Sequence, residues 1–264
     1  MFLLDPTGWR GLGPAHWAWA FNSKTGGVYQ PLAYLTYGLD FVLGGLDPRV
    51  YHLQNALWHA AAAGLLALLT RRLLLAERPG ADADVPAALA AALFAVHPLR
   101  VESVSWLSER RDVLCVALSL ACVWSYVRAR QDGRSEKPAL VLFLLALLAK
   151  GMAVTLPAVL YIVDLYPLKK PRPLKDKAPY LVLSVVFFLI GSAVQDRLRW
   201  GLEQHGVMAR VAQSCYAAVF YLAKTVWPSG LSPFYELRPP LDWTEPVYLL
   251  CMAVTALAVW AGRK

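Results

Sequence analysis

Charge is scarce in this sequence: only 17% of its 264 residues are Asp, Glu, Lys or Arg. Soluble domains carry nearer a quarter. With 58% hydrophobic residues and a mean hydropathy of +0.43, the chain reads as a membrane protein. Cysteine is sparse too. Cys115, Cys122, Cys215 and Cys251 form no CxxC pair, and three of them lie in apolar runs, which fits inert small core residues. No cleavable signal peptide is visible, because MFLLDPTGWRG lacks a basic n-region and a small-residue cleavage site. Residues 1–30 read instead as a polar, Trp- and Gly-rich loop that begins abruptly, so a chain lacking its true N-terminus is expected. A P-loop, a Ser-His-Asp order, a dinucleotide fingerprint and a long internal repeat are all missing.

What is present is a series of apolar runs separated by basic segments. The net charge of +8 is expected to report positively charged inner loops, with no nucleic-acid partner. The basic segments are Arg71 with Arg72 and Arg78, then Arg128 to Lys137, Lys169 to Lys177, and Arg263 with Lys264. If all are cytoplasmic, an even number of crossings separates each neighbouring pair. That parity predicts an all-α, polytopic bundle of about seven spans. Val50 to Leu69 is the first, running inward. Two short runs cross between Arg78 and Arg128, and two more flank Lys150, where a single long span is the rival. Ala178 to Val194 then crosses outward and Val247 to Trp260 returns. Val211 to Val226 is read as an interfacial or re-entrant helix.

The predicted organisation is therefore an exoplasmic loop with juxtamembrane helices over 1–49 and a transmembrane bundle over 50–194. An exoplasmic loop over 195–243 and a last span with a cytoplasmic tail over 244–264 complete it. Runs as short as 11 residues make about 16 Å of helix, less than a ~30 Å hydrocarbon core. The turns between them should lie in a recessed polar chamber open to the exoplasmic face.

The most charged turn is 97–112, HPLRVESVSWLSERRD. Drawn as one helix, it puts Glu102 and Glu109 on one face with Trp106 between them, and Pro98 in the first turn. Carboxylates there could serve as a general base or metal ligand, and Arg110 and Arg111 could pair with phosphate. The alternative is a solvated loop whose charges pair locally. Lys150 and Lys224 are lone cations in apolar surroundings and candidates for an anionic head group, or else they snorkel to the interface. His52, Asn55 and His59 form a helical stripe whose spacing does not suit zinc, so hydrogen bonding between helices is expected and no metal site is assigned. Tyr and Trp residues near span ends read as an interfacial belt first and as sugar-stacking surfaces second.

In order, the motifs are QPLAYLTY (30–37), GLDP (45–48), YHLQNALWH (51–59), FAVHPLRVESVSW (94–106), ERRDVL (109–114), LAKGMAVTLP (148–157), DLYPL (164–168), YLAKTVWPSGL (221–231) and FY (234–235). Together they resemble the membrane half of the transmembrane-and-tetratricopeptide-repeat O-mannosyltransferase family and its bacterial relatives, over most of residues 5–240. The resemblance implies a GT-C glycosyltransferase fold in a membrane such as the bacterial inner membrane, with its site facing the periplasm or exterior. It implies transfer of a sugar from a polyprenyl-phosphate carrier to a hydroxyl of a protein or glycan acceptor, with inversion and with the lipid phosphate leaving.

On matching positions, His97, Glu102 and Asp112 are the implied catalytic group. Lys150, Lys224, Arg110 and Arg111 are the implied lipid-phosphate ligands. Gln30, His52, Asn55, Trp106 and Tyr235 are the implied substrate-lining residues. A divalent metal is left open. The chain departs from the family pattern in three ways. A first helix with an Asp-Asp pair is missing upstream of Leu4-Asp5-Pro6, Gly151 stands where Pro is usual, and later spans and repeats are missing after Lys264. The expectation is thus a partial membrane domain, with a non-catalytic remnant and a transporter as the rivals.

Overall fold

The computed structural model describes residues 8–171, 173–195, 206–232, 235 and 242–262. They are helical, with no strand among the described residues. The chain divides into two units, Met1–Arg197 and Leu198–Lys264.

The first unit holds α1 (Pro14–Asn22), α2 (Pro31–Gly44), α3 (Pro48–Glu77), α4 (Asp84–Val96), α5 (Val101–Ser105), α6 (Arg110–Asp132), α7 (Lys137–Ala149), α8 (Leu156–Leu165) and α9 (Ala178–Gln195). The starts of α2 and α3 follow local chemistry. Pro31 and Pro48 occupy first-turn positions, and the Asp47 carboxylate accepts the Arg49 N–H at 3.0 Å. α6 stops at Gly133, which takes the left-handed φ of 67°. Gly38 in α2 is required by close approach: a Cβ there would lie 2.4 Å from the Gly11 carbonyl oxygen.

Contacts at the helix ends fix their directions. His59 on α3 meets the Ala95 carbonyl on α4 while Arg71 meets Asp84, so α3 and α4 are antiparallel. Asn55 meets Arg110 and Arg72 meets Gln131, so α3 and α6 are parallel. α7 folds back on α6, ending where the Lys150 carbonyl lies 3.8 Å from Cys115 Sγ. α8 returns to put Asp164 on Tyr126 at the far end of α6. The unit thus has a cleft end, formed by residues near 97–112 and Lys150, and a basic end. At the basic end Arg72 meets Asp132, Arg130 meets Asp164 and Lys169 meets Glu77. The first three basic segments of the sequence gather there; Arg263 and Lys264 lie outside the described residues.

α6 is the centre of the core. Leu114, Cys122, Tyr126 and Val127 are buried against Phe143, Leu147 and Leu160. Ala139, Ala146 and Ala149 on α7 have no exposed surface, and small residues let helix backbones approach where lipid supplies no hydrophobic drive. The outward faces of α3 and α9 are apolar and exposed, with Leu53, Leu57, Val182, Val185 and Phe188 among them. Such faces suit lipid, and the protein is an integral membrane protein.

Among the described residues, three helices are long and apolar enough to cross a membrane: Pro48–Glu77, Leu107–Asp132 and Leu174–Val194. A fourth is possible if the pair Asp84–Val96 and Pro98–Ser105, bent by 54°, counts as one. Parity predicts about seven. The difference lies in short apolar helices, Lys137–Ala149, Gly151–Leu165 and Pro246–Ala261, which a charge-based count includes and a length criterion does not.

One expectation needs correction. The stretch 97–112 is not a continuous helix. Pro98–Arg100 is a 3-10 turn, α5 follows, Trp106 is extended, and Leu107–Glu109 is a second 3-10 turn. Glu102 and Glu109 therefore do not share a helical face. The break has a cause in α2 and α3. The Asn55 amide donates to the Val104 and Trp106 carbonyls at 3.1 and 3.4 Å, and the Tyr37 hydroxyl donates to the Leu107 carbonyl at 2.7 Å. Carbonyls held by side chains of other helices are drawn out of a local helical ladder.

The second unit holds α10 (Val207–Val226) and α11 (Pro246–Ala261), which pack on each other through Tyr216 and Tyr248. α10 does not qualify as a span by length and composition.

Candidate functional site

At the cleft end the two adjacent arginines that begin α6 have separate roles. Arg110 turns inward and has no exposed surface. Its guanidinium donates to Asn55 Oδ1 at 2.7 Å, to the Tyr51 carbonyl at 2.7 Å, to Gln54 Oε1 at 3.4 Å and to the Asp40 carboxylate. Tyr37 covers it, with its ring centroid 4.9 Å away. Asp40 and Asn55 are equally buried. The sequence-based assignment of Arg110 to a lipid phosphate does not fit this position, because its donors are spent inside the protein. Asn55 likewise serves as a brace between α3, the 97–109 segment and Arg110. His59 Nε2 lies 3.0 Å from the Ala95 carbonyl, so the expected hydrogen bonding between helices is made by Asn55 and His59.

Arg111 points the other way, into a part-exposed chain of charges. Two of its nitrogens meet the Glu109 carboxylate at 2.5 and 3.3 Å, and a third meets Gln30 Oε1 at 3.5 Å. Lys150 Nζ pairs with Asp112 and lies 3.9 Å from Glu109. The order is Arg111, Glu109, Lys150, Asp112, two cations and two anions in alternation. Lys150 reaches it because α7 ends there: the residue takes an extended conformation and turns the chain into the 3-10 segment Gly151–Thr155. Half-exposed pairs of this kind contribute little to stability. What they provide is a set of charges that an incoming ionic ligand can rearrange.

Beside this chain lies a cavity of about 50 Å³. Its polar lining is His59, Arg100, Ser103 and Asp112, and its apolar lining includes Phe94, Val113, Val116 and Met152. His97 caps the 3-10 turn Pro98–Arg100, with Nδ1 accepting the Leu99 N–H at 3.2 Å. Glu102 is exposed and its carboxylate makes no ion pair among the described residues. Trp106 is 44% exposed, and His52 is exposed on α3. No three His, Cys, Asp or Glu side chains converge in a way that could hold a metal among the described residues.

Lys224 and Tyr235 belong to the second unit and share a knot there. Lys224 Nζ donates to the Ser229 carbonyl at 2.5 Å, 5.6 Å from the Phe220 ring. The Tyr235 hydroxyl accepts the Ser232 N–H at 2.9 Å, and its ring packs edge-on against Phe220 at 4.9 Å. Outside the spans, the Thr244 hydroxyl and N–H hold the Asp242 carboxyl below the usual carboxylate range.

Several residues were missed by the sequence reading. Glu109 was placed on a helix face but not in the catalytic set, yet it bridges Arg111 and Lys150. Asp40 is the only charge in α2, a signal of the kind used for Lys150. At the basic end, Asp164 is fully buried and bonded to Tyr126 at 2.8 Å, Arg130 at 3.1 Å and Lys177 at 2.6 Å.

No family model matches the chain, and no solved structure does. Curated proteins do. Over 136 residues it is 36% identical to "Protein O-mannosyl-transferase Tmtc1" of Drosophila melanogaster, a match that takes in 51% of this chain and 15% of the relative. It is 37% identical over 105 residues to "Protein O-mannosyl-transferase tmtc2" of Xenopus laevis, 39% of this chain and 12% of that one. The match to "Protein O-mannosyl-transferase TMTC2" of Homo sapiens is 31% over 188 residues, 65% of this chain and 22% of the relative. The chain thus spans less than a quarter of the length of these relatives, and it is similar to proteins that share the name protein O-mannosyl-transferase.

Proposed function

We propose that this chain is a partial membrane domain of a glycosyltransferase of GT-C type, moving a sugar from a polyprenyl phosphate to an acceptor hydroxyl on the exoplasmic face. The observation that carries the reading is the alternating chain Arg111, Glu109, Lys150, Asp112 at one end of the bundle, opposite the basic end. Similarity to proteins named as O-mannosyl-transferases supports the reaction class. The gathering of basic segments at the other end supports an exoplasmic cleft, since such segments favour the cytoplasm.

The residues divide the work by their charge balance. Glu102, exposed and without an ion pair among the described residues, is the base that takes the acceptor proton. The acceptor oxygen then attacks the anomeric carbon as the bond to the lipid phosphate breaks, and the configuration inverts. Lys150, held at the cleft by Asp112 and Glu109, meets the negative charge that develops on the leaving phosphate. The count of about seven crossings that charge parity predicts belongs to the same reading.

The test is transfer from polyprenyl-phosphate-mannose to an acceptor by the complete gene product in vesicles. Glu102→Gln should lower kcat by about 10²-fold or more. Lys150→Met should lower transfer while the protein still inserts. Full transfer by both variants would remove the site assignment, and a wild-type protein with no transfer would remove the function.

A further inference from the structure

We propose that Arg100 is the residue that takes the phosphate of the polyprenyl carrier when it enters the cleft. The inference rests on the transferase reading above and names a ligand for that site.

Arg100 differs from the other cations at the cleft end. Arg110 is buried on Asp40, Arg111 is held by both oxygens of Glu109, and Lys150 is held by Asp112. A phosphate must first displace a carboxylate to reach Arg110, Arg111 or Lys150, so Lys150 engages only as charge develops during transfer, while Arg100 is open to the carrier on entry. Arg100 has no carboxylate partner among the described residues. Its guanidinium carbon stands 5.0 Å from the Phe94 ring centroid. A ring contact spends none of the guanidinium's N–H groups on an acceptor oxygen, so they remain for phosphate oxygens, which a guanidinium can meet two at a time.

The neighbours complete the site. Arg100, Ser103, His59 and Asp112 line one cavity. His59 also stacks on Phe94, with centroids 5.2 Å apart. Its Nε2 lies against the Ala95 carbonyl, which only accepts, so that N–H is already committed and His59 serves to pack the Phe94 ring, not to donate to the phosphate. Ser103 lies three residues after Arg100 and offers a hydroxyl donor. Asp112 closes the cavity with its charge offset by Lys150, so the cavity has one uncompensated charge, and it is positive. The remaining lining is apolar, through Val113, Val116 and Met152, which suits a phosphate joined to an isoprenoid over a free one.

The test measures binding of a short-chain polyprenyl phosphate, and separately of inorganic phosphate, to the complete gene product in nanodiscs. Arg100→Gln should weaken lipid-phosphate binding by about tenfold or more, Arg100→Lys by less, and Arg71→Gln at the basic end not at all. Thermal unfolding of each variant checks that the fold is kept. Unchanged binding by Arg100→Gln overturns the assignment, as does a wild type that binds no lipid phosphate. Equal affinity for inorganic phosphate, lost equally in the variant, overturns the lipid as its source. Sugar transfer separates the two readings. A wild type that binds the lipid phosphate without transferring sugar sinks the transferase function alone. Transfer by Arg100→Gln with an unchanged KM for the carrier sinks only the role of Arg100.

Discussion

At the residue scale the decisive fact is that Arg110 and Arg111, adjacent and chemically identical, have opposite surroundings. A helix turns its side chains by about 100° per residue, so one guanidinium faces Asp40 and Asn55 while the next faces Glu109 and Gln30. Removing one member of a fully buried ion pair leaves the other uncompensated, at a cost of about 3–5 kcal/mol. Asp40→Ala should therefore lower the thermal unfolding midpoint of the purified protein sharply. Arg110→Lys should fail to substitute, because one ammonium cannot meet acceptors arranged around a planar fork. Arg111→Lys should keep the fold. If Asp40→Ala unfolds like the wild type, the buried pair is not what holds α2 to α6.

None of this division could be read from the pair RR. Sequence established that charge collects between 97 and 112 and near Lys150. Which arginine reaches the cleft depended on how α6 is rotated against α2 and α3. That rotation is set by tertiary packing around Tyr37 and Tyr51.

Among the elements, the segment before α6 shows what a helical drawing hides. Local preference favours continuing through Trp106, but Asn55 and Tyr37 draw three carbonyls to themselves. Asn55→Leu would remove two donors to those carbonyls and the acceptor for the Arg110 Nε–H, leaving buried polar groups unmet at about 1–3 kcal/mol each. Hydrogen exchange of the amides from Val101 to Glu109 should then accelerate, while those at the centre of α6 stay protected. Equal protection in both would mean that the cleft wall holds its shape without the brace. The presence of α3, α6 and α9 was legible because each contains a long apolar run, but α3 continues to Glu77, past the Leu69 where its apolar run stops. The break was not, since it is imposed by residues about fifty and seventy positions away.

For the whole molecule, the contacts put every basic segment within residues 8–195 at one end and the cleft at the other. Membrane-impermeant maleimide tests which end is outside. Ser105→Cys and Ser135→Cys both sit at exposed positions, the first at the cleft end and the second at the basic end. In sealed inverted vesicles, only Ser135→Cys should react before detergent is added; labelling of both, or only of Ser105→Cys, contradicts the orientation.

α6 connects these two ends, and one arginine near each end is locked in a buried ion pair. Arg110 is held by Asp40 and Arg130 by Asp164, twenty residues and roughly 30 Å apart along the helix. Most spans adapt to a thicker or thinner bilayer by letting long cationic side chains bend toward the head groups, and neither of these two can. The protein should then respond to acyl-chain length. In vesicles of graded lipid length its thermal stability should peak near a hydrocarbon thickness of about 30 Å and fall on either side. A flat profile would show that α6 accommodates the mismatch by tilting. A peak would make the span between the two ion pairs a gauge of the membrane in which this protein works.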